Sequence, residues 1–328
     1  MRYLVRSLTF FLILSAVSTA ALAQEKGKAY TDPTKVDEDF ALQGEYSGEV
    51  QTQDGDLKVG AQVIALGDGK FRLVGHHGGL PGDGWNGSEK REAETSRTGD
   101  RAEFEFDGNS VVLNRDSIVI TDGGGARRGE LKKVERKSPT LGKKPPEGAV
   151  VLFDGKKTDA WEKARMTDDG LLMQGVTSKQ RFGSHSLHIE FRLPYQPTAR
   201  GQQRGNSGIY LQGRYEVQML DSFGLEGKNN ECGGIYTIAE PKVNMCFPPL
   251  AWQTYDIDYI AAEFSGGKKT KNPRVTVKHN GVTIHDNVEL THATTASPLK
   301  EGPEPGPVYL QDHGNPVRYR NIWVVEKN

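Results

Sequence analysis

The sequence predicts an all-β protein of two parts, a small all-β domain followed by a jelly-roll sandwich. Three observations predict it: short period-two apolar runs recur along the chain, glycine is abundant, and no convincing long amphipathic helix appears. The 39 glycines among 328 residues are about 12%, against a usual ~7%, which suits many turns better than long helices. Lys and Arg number 42 against 43 Asp and Glu, and charged residues make up 26% of the chain. That balance excludes wholesale disorder, and it lacks the general basic surface that duplex nucleic acid requires, so no nucleic-acid partner is expected. The expected partner is neutral or locally recognised.

Residues 1–23 read as an address. Arg2 and Arg6 open the chain, Leu8 to Val17 is apolar, and Ala21-Leu22-Ala23 precedes Gln24, the pattern of a secretory signal peptide. The apolar run is shorter than the ~20 residues of a spanning helix, which disfavours a membrane anchor. The expectation is therefore export, to the periplasm or beyond the cell. The mature chain would carry a formal charge of about −3, with no later segment able to span a bilayer as a helix.

Residues 24–136 form the expected N-terminal domain, with its strand-rich core at 42–136. Alternating runs at 57–64, 70–74, 101–106, 110–113 and 117–120 are separated by Asp-Gly, Gly-Asp-Gly and Gly-Gly-Gly, which reads as hairpins. Residues 75–88 (GHHGGLPGDGWNGS) read as a structural loop. No GK[ST] follows to cradle phosphate, and adjacent His76 and His77 on a strand point to opposite faces. Residues 137–148 (KSPTLGKKPPEG) hold three Pro and two Gly and read as a linker. Few contacts are expected to cross it, so 149–328 is expected to fold alone.

Beyond the linker the strand signal resumes. Residues 186–193 alternate Leu, Ile and Phe with His, Glu and Arg, and similar runs follow at 209–212, 215–220, 252–260, 274–278, 281–284, 307–311 and 318–325. Many short strands over about 180 residues imply two packed antiparallel sheets. Cys232 and Cys246 are the only cysteines. An oxidising compartment permits a bridge between them, closing a loop of about 15 residues worth ~3 kcal/mol; two separate buried thiols are the alternative.

The outward strand positions hold an unusual set of side chains. Glu190 with Arg192, Glu216 with Gln218, and Asp256 with Asp258 each share a face. Around them lie Arg204, Asn206, Asp221, Gln311, Asp312, His313 and Asn315, with the rings of Tyr215, Tyr236 and Trp252. Amides, carboxylates and rings are what sugar hydroxyls and pyranose faces need, although an ordinary solvated sheet face is the plainer alternative. A retaining glucanase needs two carboxylates about 5 Å apart. Counting from Glu216 at strand parity meets Gln218 and then Leu220, so that pair is missing, and Asp221 has the wrong parity unless the strand bulges.

VLFDGKKTDAW (151–161), HIEFRL (188–193), RGNSGIYLQGRYEVQMLD (204–221) and VYLQDHGNPVRYRNIWV (308–324) together resemble the 3-keto-disaccharide hydrolase domain family over residues 149–326. The resemblance implies a concanavalin A-like sandwich and a glycoside or disaccharide whose C3 hydroxyl is already a ketone. Such a ketone acidifies the proton on C2, so one base suffices for elimination of the C1 substituent, and water then adds. Carried onto this sequence, the resemblance makes Glu216 the base, His313 the acid/base partner and Asp221 an orienter or ligand. Glu190, Arg192, Arg204, Asn206, Gln218, Tyr236, Gln311, Asp312 and Arg320 become substrate contacts. No cofactor is required, though a divalent metal at Asp221 and His313 is compatible with the chemistry. A non-catalytic lectin-like module and an ordinary glycosidase or 3-keto-glycoside lyase are the competing readings, since one fold hosts all three.

Overall fold

The structure is a computed structural model that describes residues 27–327; the expected signal peptide lies outside the described residues. Eight strands form the N-terminal domain: β1 (Gly44–Thr52), β2 (Gly55–Gly67), β3 (Lys70–His77), β4 (Arg91–Thr98), β5 (Arg101–Phe106), β6 (Asn109–Leu113), β7 (Ser117–Thr121) and β8 (Arg127–Val134). Each pairs antiparallel with the next, and β1 pairs β8 from Glu45 opposite Val134 to Val50 opposite Gly129. That last pairing closes the sheet into a barrel, which leaves no free edge. Inward positions such as Tyr46, Val63, Phe71, Phe104 and Leu113 are buried and form the barrel's own core. The expected runs became strands, whereas β1, β4 and β8 were not among them, and β4 is the least expected. Its sequence REAETSRT has no large apolar residue, and the closed barrel rather than propensity holds it.

The second domain is a sandwich. Its strands are β9 (Val150–Phe153), β10 (Trp161–Glu162), β11 (Leu172–Met173), β12 (Val176–Phe182), β13 (His185–Arg192), β14 (Ser207–Leu211), β15 (Tyr215–Met219), β16 (Trp252–Ile260), β17 (Glu263–Ser265), β18 (Lys268–Lys271), β19 (Arg274–His279), β20 (Val282–Glu289), β21 (Gly306–Leu310) and β22 (Arg318–Glu326). One sheet has five strands in the order β10-β12-β21-β14-β15. The other has seven, β11-β22-β13-β16-β19-β20 with β9 beside β22, and β17 and β18 form a separate ribbon. Leu187, Ile189 and Phe191 of β13 meet Ile209, Leu211, Val217, Val308 and Leu310 of the five-stranded sheet in one core. The period-two pattern makes each strand contribute one face to that core and the other to whatever lies outside.

Two expectations are corrected here. The linker is not a loose tether. Ser138 Oγ lies 2.6 Å from Thr254 Oγ1, Thr140 Oγ1 donates to Asp256 Oδ2 at 2.6 Å, and Gly142 N donates to Glu190 Oε1 at 2.6 Å. Pro and Gly remove regular structure from this segment, but Ser138, Thr140 and Gly142 find partners on the outer face of the seven-stranded sheet. The two domains also share their cores. Ile64 and Val74, on the outside of the barrel, belong to the sandwich core, while Tyr195 and Leu250 of the sandwich belong to the barrel core.

Cys232 and Cys246 are both free and buried, so the possible bridge is not formed. Cys232 Sγ instead lies 3.3 Å from the Tyr255 hydroxyl. His76 and His77 do take opposite faces: His76 is buried, its Nε2 3.2 Å from Gln62 Oε1, and His77 is exposed. Burial pulls the His76 imidazole down to about 4.

Candidate active site

The outer face of the five-stranded sheet carries the densest unsatisfied polarity. Strand β14 is set against β15 so that Tyr210 lies opposite Glu216 and Gly208 opposite Gln218, and these four share the outward face. Tyr309 of β21 is in register with Tyr210, their ring centroids 5.4 Å apart. The Glu216 carboxyl lies over Gly208, where an added Cβ would come within 2.0 Å of Oε1, so only glycine leaves room for it. Above, Thr294 Oγ1 accepts from the Glu216 backbone N–H at 2.9 Å.

Glu216 is 2% exposed and its Oε1 has no hydrogen-bond partner among the described residues. Burial drives its pKa up to about 8, with the Tyr210 hydroxyl opposing part of that rise. Tyr210 is itself raised, first by burial and then by the charges of Glu216, Tyr309 and Tyr236, so these four groups share one electrostatic neighbourhood. A buried carboxyl without full satisfaction is costly, and such groups concentrate at functional sites.

The flanking loops add amides. Asn206 Nδ2 donates to the Gln202 carbonyl at 2.9 Å and to Gln202 Oε1 at 3.0 Å, and Gln218 Nε2 approaches the same Oε1 at 3.4 Å. Gln311 N donates to Gly208 O at 2.9 Å, and Gln311 Nε2 donates to the Tyr210 hydroxyl at 3.2 Å. Asn315 Nδ2 donates to Gln196 Oε1 and to the Gln203 carbonyl, which clamps the 311–315 turn onto the 196–206 loop. His313 is half-buried within that turn, and exposed Asp312 folds it by accepting from Gly314 N. Asn206 Oδ1, Gln203 Oε1 and Asn315 Oδ1 are buried acceptors without a donor among the described residues. Such acceptors suit sugar hydroxyls.

The expected residues therefore divide into three groups. Glu216, Gln218, Asn206, Tyr236, Gln311, Asp312 and His313 lie on or beside one face. Glu190, Arg192 and Arg320 do not: they sit on the outer face of the seven-stranded sheet, on the other side of the sandwich core. There Arg320 Nε and Asn321 Nδ2 donate to Glu190, and Arg192 and Arg320 flank the Trp252 ring at 5.0 and 4.0 Å. Burial alone would raise the Glu190 carboxyl, but donors from His188, Asn321, Gly142 and Arg320 hold it down at about 2. It is a fully engaged structural anion. The third group is Arg204 with Asp221, a buried ion pair at 2.6 Å. Arg204 Nη1 also donates to the carbonyls of Ala65 in the barrel and Pro197 in the sandwich, so the pair fastens one domain to the other. Its carboxylate is engaged by Arg204, and among the described residues no group of three His, Cys, Asp or Glu is arranged to hold a metal.

Tyr210, Gln202 and Thr294 belong to the site and escaped the sequence reading. Tyr210 was detectable, since it shares the parity of Gly208 on the strand beside Glu216. Gln202 arrives from a short 3-10 helix (Gly201–Gln203) and Thr294 from a loop, for which strand parity carries no signal.

Residues 148–325 match the family described as 3-keto-alpha-glucoside-1,2-lyase-like domain. A crystal structure of a candidate glycosyl hydrolase from Parabacteroides distasonis is similar at 36% identity and a TM-score of 0.51, covering 56% of this chain and 85% of that one. Two further structures from that organism, described in the same way, align at 18% and 19% identity with TM-scores of 0.41 and 0.39. They cover 56% and 55% of this chain, and 95% and 99% of their own. No curated protein matches the chain.

Proposed function

Since the chain belongs to the family of 3-keto-alpha-glucoside-1,2-lyase-like domains, we propose that it cleaves 3-keto-glycosides, including 3-keto-disaccharides, by elimination across C1–C2 followed by hydration. At the coarser level it is a carbohydrate-active enzyme of the glycoside-cleaving kind, in keeping with the naming of its solved relatives. The observation that carries the finer reading is Glu216: one buried carboxyl of raised pKa, facing Tyr210 rather than a second carboxylate. A double-displacement glycosidase needs a carboxylate pair, whereas abstraction of a proton next to a ketone needs one strong base.

In this reading ionised Glu216 removes the C2 proton and the electrons move into the C3 carbonyl as an enolate. The Tyr210 hydroxyl, oriented by Gln311, donates a hydrogen bond to that oxygen. The enolate then re-forms the ketone, the new C1–C2 double bond expels the C1 oxygen, and His313 protonates it. Water adds at C1 and the proton returns to C2, so the net change is hydrolysis. Gln218, Asn206 and Gln311 hold sugar hydroxyls. The same reading has residues 1–23 removed on export, so the N-terminus of the secreted or periplasmic protein would be Gln24.

The test is incubation with a 3-keto-disaccharide and with its unoxidised parent, following release of monosaccharide and any unsaturated intermediate. Cleavage of the keto form alone supports the proposal. Equal cleavage of both indicates an ordinary glycosidase, and binding without turnover indicates a lectin.

A further inference from the structure

The barrel holds a cavity of about 320 Å³ between Val50, Leu57, Val59, Leu73, Phe106, Val111, Ile118, Ile120 and Leu131. Its origin lies in the inward-facing sequence. Toward the turn at Gly67–Lys70, the inward positions are Tyr46, Val63, Phe71, Phe104 and Leu113, which fill the barrel. Toward the opposite end, the directly opposed pair Ala61 and Gly75 supplies almost no side chain. An eight-stranded barrel is just wide enough either to be filled or to hold one small ligand. This one is filled over half its length.

We propose that the open half of the barrel binds one small, uncharged and mainly apolar molecule with a single hydrogen-bonding end. The size sets the class: the volume is roughly twice the ~150 Å³ of an apolar cavity that takes benzene. Val50, Val59, Phe106 and Ile120 are only half-buried although they point into a closed barrel, so their open surface faces the cavity. Hydrating that surface is unfavourable, and an apolar occupant removes it from water. The mouth carries Thr52, His77, Arg91, Asp107 and Asn109. Arg91 and Asp107 are paired with each other, so a charged ligand end would have to compete for its partner, while Thr52 and Asn109 offer hydrogen bonds to a hydroxyl. The mouth lies at the end of the barrel away from the Gly67 turn that abuts Thr198 of the sandwich, which leaves it open to solvent. The site is separate from Glu216 and does not depend on the reaction proposed there.

The experiment uses the full chain and the neutral fluorescent probe N-phenyl-1-naphthylamine, displaced by 1-nonanol or by nonanoate. Saturable one-to-one probe binding is expected, with 1-nonanol displacing it about tenfold more effectively than nonanoate, because the carboxylate loses hydration without gaining a free cation. Gly75→Leu should abolish binding and leave the melting midpoint unchanged or higher, since a Cβ at Gly75 meets only Arg91 atoms at 3.6 and 3.7 Å. Val59→Phe fills the same space if the glycine variant does not fold, and Glu216-dependent cleavage should be unaffected in both. Absence of saturable binding, undiminished binding in the filled variants, or tighter binding of nonanoate than of 1-nonanol would overturn the proposal.

Discussion

Burial of a single carboxyl ties reactivity to instability in this protein. In its proposed role Glu216 would be a strong base for the same reason that it is a poor stabiliser: its environment favours the neutral form. Its pKa is raised, so the native state holds a proton that the unfolded chain loses near pH 4.5. Stability is therefore fullest below that pH and falls as pH rises to about 8, by on the order of 4 kcal/mol for this group alone. Glu216→Gln should lower cleavage about 10²–10⁴-fold, while raising the melting midpoint more at pH 9 than at pH 5. Wild-type turnover in that variant would remove Glu216 from the base role. In the proposed mechanism the ionised form reacts, so kcat/KM should climb as pH rises toward about 8. Gly208→Ala tests positioning. Its Cβ would displace the carboxyl, and a shift of about 1 Å costs roughly 10²-fold in turnover without removing the base.

Among the elements, β13, β16 and β22 show how an outward polar row can be structural. His188 Nδ1 lies 2.9 Å from Asp256 Oδ1 and stacks on Trp323. Burial pulls the His188 imidazole down, but hydrogen bonds to Asp256 and Glu190 outweigh it and raise its pKa. The strap at 138–143 closes over this cluster. Glu190→Ala would remove the acceptor of Gly142 N and the partner of Arg320, and leave the strap held mainly through Thr140 and Lys143. Trypsin should then cut after Lys143 about tenfold faster than in the wild type, with glycoside-cleaving turnover largely retained. Unchanged proteolysis would show that Glu190 does not hold the strap. The alternation of these strands was legible in the sequence. Which outward rows meet substrate and which meet the chain's own linker was not, because parity assigns a side chain to a face and says nothing of what covers that face.

At the scale of the whole molecule, barrel and sandwich are joined by shared cores rather than by a tether. The Arg136 guanidinium, held within the barrel domain by Glu45, lies over the Phe247 ring of the sandwich at 5.1 Å, while Arg204 of the sandwich reaches Ala65 O of the barrel. A chain begun at residue 149 would expose the apolar surface that Ile64 and Val74 cover, and would leave Tyr195 without the barrel interior. Such a truncation should be insoluble, or should lose its near-ultraviolet circular dichroism while keeping strand content. A soluble fragment with a cooperative melt would restore the independence that the linker composition suggested.

The sequence by itself determined the fold class and the family. Period-two patterning is a local property of the chain, so it specified strands, the sandwich and the outward placement of Glu216 and Gln218. The motifs at 204–221 and 308–324 likewise carried the family. Only the tertiary structure decided how the outward residues are shared out. It brought Tyr210 and Thr294 to Glu216 and Gln202 to Gln218, took Glu190, Arg192 and Arg320 to the opposite face, and committed Arg204 and Asp221 to the domain junction. The physical reason is that burial, pairing and the resulting pKa values depend on neighbours distant in the chain. A carboxylate on a strand reads the same whether an arginine, a linker amide or a sugar completes it.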